Sequence, residues 1–135
     1  MARQSAEYKG YKIQDNHFVF PNGKSINLEN VRNQSSKNRV SVWYAPAQKK
    51  VKLYRAVMCV WLGLDCLPND VEVHHVNMNA CDCTIGNLVL MNHKEHKQAH
   101  RLADKAMEAF FSDVSAGLQA RETYLNFVRE NSIDL

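Results

Sequence analysis

Five of the six histidines in this chain fall between residues 74 and 100: His74, His75, His93, His96 and His100. His96 and His100 are four residues apart, so on a helix they stack on one face. Their Cα atoms then lie about 6 Å apart, near enough to share one cation. The adjacent pair His74-His75 can bring a third ligand and a general base to the same point. Three neutral imidazoles suit zinc and other late first-row divalent ions, and three protein ligands leave open the coordination position that a catalytic site needs. A histidine close to its ordinary pKa of about 6.5 can act as a base at neutral pH, whereas one bound to a metal has its lone pair occupied. His93 shares the helical face of His96 and His100 and is expected at the surface or against a ligand. Glu95 either orients a ligand imidazole or is an acid placed at a helix start by the dipole.

The elements that must position these residues can be read from periodicity and punctuation. Residues 71–75 alternate as a strand after the breaker Pro68-Asn69-Asp70, residues 76–86 read as a loop, and residues 87–91 as a second strand. Asn92 is a suitable N-cap for a helix running from residue 93 to about 111. Ser112-Asp113 can stop that helix and cap another that ends near Asn131. Leu102, Ala106, Phe110, Val114, Leu118, Leu125 and Val128 form apolar stripes expected to face a core. Upstream, residues 8–30 read as short extended pieces with a hairpin turn at Pro21-Asn22-Gly23. Residues 40–44 and 50–53 are expected to pair as strands, with one of Trp43 and Tyr44 exposed and the other buried. Residues 54–64 read as a helix that ends near Gly63, with Val57, Val60, Trp61 and Leu64 facing a core. The fold class is α+β.

The 135 residues suffice for one compact domain or a small core with extensions, and 45% hydrophobic against 23% charged residues excludes a disordered chain. The net charge of +3 hides an asymmetry: residues 1–55 carry eleven Lys/Arg and three acids, a balance of +8, and the remainder carries −5. A basic first half implies a polyanionic partner. Arg32, Lys37, Arg39, Lys49, Lys50, Lys52 and Arg55 are its candidate phosphate contacts, joined by Lys94, Lys97 and Arg101 beside the ligands. The first residues are polar and the longest apolar run, 56–64, is too short to span a bilayer. A soluble, cytoplasmic protein with no membrane partner is expected, its four cysteines reduced. Cys81-Asp82-Cys83 is tighter than a usual zinc pair, and no second pair follows.

The stretch Val73-His74-His75-Val76-Asn77, then Asp82, Ile85-Gly86-Asn87-Leu88-Val89-Leu90, Glu95-His96 and His100 resembles the motif of the HNH endonucleases, the ββα-metal nucleases. Tyr54-Arg55-Ala56-Val57 with Trp61-Leu62-Gly63 is similar to the helix leading into that motif in phage and homing-type members. The resemblance implies a ββα-metal finger with a basic N-terminal β-hairpin region and C-terminal helices. It divides the chain into a DNA-binding region (1–53), a nuclease core (54–111) and a C-terminal helix (112–135). It further implies that His74, His96 and His100 hold one divalent ion (zinc, nickel, manganese or magnesium), that His75 is the general base, and that Asn87 fixes the loop and orients His75. The implied substrate is double-stranded DNA, cut by a monomer or homodimer of phage or mobile-element origin. The chain departs from the family pattern at Gly86, where a polar residue is common, and at Cys81-Asp82-Cys83, in a loop often rich in asparagine. Two other readings of the same residues remain: a non-catalytic DNA-binding protein with a structural zinc, and a metal-binding module whose C-terminal helices dock a partner protein.

Overall fold

The computed structural model describes residues 5–31 and 40–135, and shows a mixed α+β chain that divides into two compact units. The first comprises Met1–Pro68 with Asn79–Leu88, the second Asn69–Met78 with Val89–Leu135. Residues 54–111, expected as one core, are therefore shared between the two.

In the first unit, β1 (Ala6–Tyr8), β2 (Tyr11–Gln14), β3 (His17–Val19) and β4 (Ser25–Asn27) form a four-stranded antiparallel meander. The hairpin expected around Pro21-Asn22-Gly23 joins β3 to β4. Two further hairpins turn at Lys9-Gly10 and Asp15-Asn16, and all four turn residues have positive φ. Such paired left-handed residues match the right-handed twist of the strands they join. Strand alternation buries Tyr11, Ile13 and Phe18 while Lys12 and Gln14 stay exposed. β5 (Ser41–Tyr44) pairs with β6 (Lys49–Lys52), and alternation separates the two aromatics as expected: Tyr44 is buried and Trp43 is 56% exposed. Helix α1 (Leu53–Leu62) packs on β1, β2, β5 and β6 through Leu53, Ala56, Val57 and Val60. It stops at Gly63, whose φ of 71° admits the left-handed cap, and Leu64 N–H returns to the Cys59 carbonyl at 2.8 Å.

In the second unit, β7 (Val71–His75) pairs with β8 (Leu88–Asn92), which leads directly into α2 (His93–Ser112) and then α3 (Val114–Glu130). Both helix starts follow the chemistry expected of them. Asn92 Oδ1 accepts from Glu95 N–H at 2.9 Å, and Asp113 Oδ2 accepts from Ala116 N–H at 3.1 Å. The core of this unit is Met91, Ala99, Tyr124 and Val128, with Leu102, Ala103, Leu125 and Phe127 packed around it.

The apolar stripe on the two helices is only partly core. Val114 and Leu118, expected inside, are 64% and 48% exposed. They lie in the first turns of α3, next to the inter-helix corner. The helices approach closely at Gly117, where an added Cβ would run into the Phe110 ring. Gly117→Ala is therefore expected to destabilise the protein by about 1–3 kcal/mol through overpacking. Set against the gain of about 1 kcal/mol that alanine normally brings to a helix interior, the overpacking leaves a net loss of up to about 2 kcal/mol. A lower urea midpoint would show it, and an unchanged or higher midpoint would contradict the close packing. Among the described residues, no helix is long and apolar enough to cross a membrane.

Candidate metal centre

His74 reaches the site from β7, and His96 and His100 from successive turns of α2. The three imidazoles form a nearly equilateral triangle, with ring centroids 5.0, 5.2 and 4.8 Å apart and planes inclined by 67–74°. One nitrogen from each lies within 4.8 Å of the other two, so His74, His96 and His100 could hold a metal ion. A tetrahedral ion bonded at about 2.0–2.1 Å sets its ligands roughly 3.4 Å apart. The Nε2 atoms of His96 and His100, at 3.1 Å, are already near that spacing.

Hydrogen bonds determine which nitrogen His74 and His96 offer. Tyr124, on α3, donates its hydroxyl proton to the Val76 carbonyl at 2.6 Å. Its oxygen is thus left to accept from His74 Nε2, also at 2.6 Å. That places the proton of His74 on Nε2 and the lone pair on Nδ1. His74 is fully buried, and its Nδ1 has no hydrogen-bond partner. A buried polar atom without a partner is costly. With the His96 and His100 rings 5.0 and 5.2 Å away, centroid to centroid, a cation held by the three histidines could satisfy that atom. Burial, reinforced by repulsion from His96, His100 and His75, pushes the His74 pKa down to about 3, and burial lowers that of His100 as well. Both rings are held in the neutral form that metals require.

His96 is oriented from its other side. Its Nδ1 lies 2.7 Å from Glu72 Oε1, so the Nδ1–H donates to the carboxylate and Nε2 turns into the cluster. Such carboxylate–imidazole pairs raise ligand basicity and fix the ring. Glu72 also holds His93 Nδ1 at 2.8 Å through its second oxygen. Its carboxyl is kept below the usual range, first by the His96 hydrogen bond. Strand alternation explains the placement, because residues 72 and 74 share one face of β7. Glu72→Gln is expected to weaken zinc affinity by about 10–100-fold while leaving the helix content unchanged. Competition with a chromophoric chelator would measure it, and wild-type affinity would deny Glu72 this task.

Sequence reasoning did not find Glu72 or Tyr124. The spacing of Glu72 from His74 carried a signal, whereas Tyr124 is fifty residues away and carried none. The imidazole-orienting carboxylate is Glu72, and Glu95 sits in the first turn of α2 with its amide capped by Asn92. His93 is a partner of Glu72 and stands outside the three-histidine group.

No protein-family model, curated protein or solved structure matches this chain. His75 ends β7, and its carbonyl accepts from Met78 N–H at 2.9 Å, which fixes the chain at the start of a tight turn. Asn87 is buried, and its amide donates to the Asp82 carbonyl at 2.9 Å, closing the 82–87 segment. Lys97 and Arg101 are exposed on α2, each one residue beyond a ligand. Lys49 and Lys50 are exposed and Lys52 half-buried on β6, while Arg55 Nη2 donates to the Pro68 carbonyl at 3.3 Å. Arg32, Lys37 and Arg39 lie outside the described residues.

Proposed function

We propose that this chain is a metal-dependent endonuclease of the HNH type that hydrolyses DNA phosphodiester bonds. The observation that carries the reading is the buried, unpartnered Nδ1 of His74 in a cluster of three imidazoles that could hold a metal ion. The order of β7, β8 and α2 supports a ββα-metal finger, with the ligands on the first strand and the helix. Among the described residues the group offers three ligands, which suits an open catalytic site better than a closed structural one.

In this reading His74, His96 and His100 hold one divalent ion: zinc, nickel, manganese or magnesium. Once bound, the ion supplies Lewis acidity at the scissile phosphate and compensates charge on the leaving oxygen. His75 takes a proton from water as the water oxygen bonds to phosphorus. The P–O bond to the leaving 3′ oxygen then breaks, and that oxygen takes a proton from solvent water, giving 3′-hydroxyl and 5′-phosphate ends. Asn87 closes the loop before β8 and serves to orient His75. Lys97 and Arg101 hold phosphates beside the ligands, while Lys49, Lys50, Lys52 and Arg55 contribute affinity without specifying sequence.

The test is incubation of purified protein with supercoiled plasmid in the presence of each ion. Cleavage that a chelator abolishes, with 5′-phosphate ends, is expected. Stoichiometric zinc binding without cleavage under any of the four ions would replace this reading with a DNA-binding protein that carries a structural zinc.

A further inference from the structure

Trp43 is the most exposed aromatic residue of the first unit, and nothing in the catalytic reading uses it. The register of β5 and β6 sets Trp43 opposite Lys50, and Ser41 opposite Lys52. Directly opposed residues share a sheet face. One face of this hairpin thus carries an indole with a lysine across from it and a second lysine on the diagonal. Residues 40–64 contain Lys49, Lys50, Lys52 and Arg55 and no acid at all.

The backbone on either side of this indole is tied to β2. The Tyr11 hydroxyl accepts from Ala45 N–H at 3.0 Å and donates to the Trp43 carbonyl at 3.4 Å. The Tyr11 ring packs on Tyr44 with centroids 5.0 Å apart. Beside the indole runs an open groove of about 400 Å³ lined by Tyr11, Phe20, Pro21, Asn22, Val42 and Trp43. Its walls are mostly apolar and aromatic, offering flat surface rather than the donors and acceptors that read base edges in a duplex.

We propose that Trp43 is a stacking platform for an unpaired DNA base, with Lys50 and Lys52 holding the flanking phosphates. The inference deepens the nuclease reading and rests on it for the choice of DNA as ligand. Cationic side chains that follow the backbone beside a stacking aromatic are the general means of gripping a single strand, because every base has a π-face. An apolar peptide would also fit the groove, but it leaves the lysine face without a counter-charge.

The experiment is a titration of the full chain, in EDTA, with an oligothymidine of about twelve nucleotides. It is followed by tryptophan fluorescence and, independently, by anisotropy of a labelled strand. Wild type is expected to bind with quenching. Trp43→Ala should lose about 5- to 150-fold in affinity, the range for one stacked base, with Trp43→Phe retaining most of the binding. Lys50→Gln with Lys52→Gln should instead flatten the salt dependence by roughly 0.7 for each phosphate no longer neutralised. Because Trp43 is largely solvent-exposed, circular dichroism should find the variants folded. Wild-type affinity in Trp43→Ala, or no binding of the oligonucleotide by wild type, overturns the platform even if plasmid is still cut. Binding lost in Trp43→Ala by a protein that cuts no DNA would retain the platform and remove only the catalytic reading.

Discussion

Replacing His75 by alanine is expected to lower DNA cleavage by about 10²–10⁴-fold, the usual contribution of a positioned general base. Metal affinity and DNA binding should stay near wild type. The nitrogens that could hold an ion belong to His74, His96 and His100, so a bound ion would lose none of them when residue 75 is shortened. The backbone of residue 75 remains tied into its turn by Met78 N–H, so strand β7 should keep its end and His74 its place. Single-turnover cleavage of plasmid under saturating metal would measure the loss, with zinc competition and oligonucleotide binding run on the same variant. Partial rescue by added imidazole would identify the missing group as a base. Cleavage at the wild-type rate would remove His75 from the chemistry, and parallel loss of metal binding would make it a structural residue instead.

The pair His74-His75 also shows what the sequence could and could not disclose. The i, i+4 spacing of His96 and His100 and the Asn92 cap are local facts, and the helix they imply is present with its cap. The paired strands on either side of residues 76–86 were likewise readable. Strand alternation further separated Trp43 from Tyr44. The tautomer of His74 was not readable, because it depends on a hydroxyl from α3 fifty residues later. Nor was the fate of Val114 and Leu118, since periodicity marks an apolar face without saying whether anything covers it. The Lys9-Gly10 and Asp15-Asn16 turns were less visible than Pro21-Asn22-Gly23, for they lack the Asn-Gly pair that marks a two-residue turn. What the triangle of imidazoles adds is convergence: spacing placed the histidines on elements, and only packing of α2 against β7 and α3 brought the three rings together.

His100→Ala is the sharpest test of that point. It should reduce metal affinity by more than the about 10–100-fold expected for losing an orienting partner, because a ligand itself is removed. His100 is exposed at the outer corner of the triangle, so its side chain carries little of the fold. His74 would be a poorer choice. It is fully buried, and its removal would strand the Tyr124 hydroxyl bond and open a cavity as well as the site. A ligand that binds only the folded state stabilises it by about 2.7 kcal/mol at a hundred times its Kd. Each tenfold loss in affinity removes about 1.4 kcal/mol of that gain. Wild type should therefore melt higher with zinc than with chelator, and His100→Ala should show almost none of this difference at the same zinc concentration. The two proteins should melt together in chelator, which separates loss of the ligand from damage to the helix. An equal zinc-induced rise in both would mean that the ion sits elsewhere, and the nuclease reading would lose its metal.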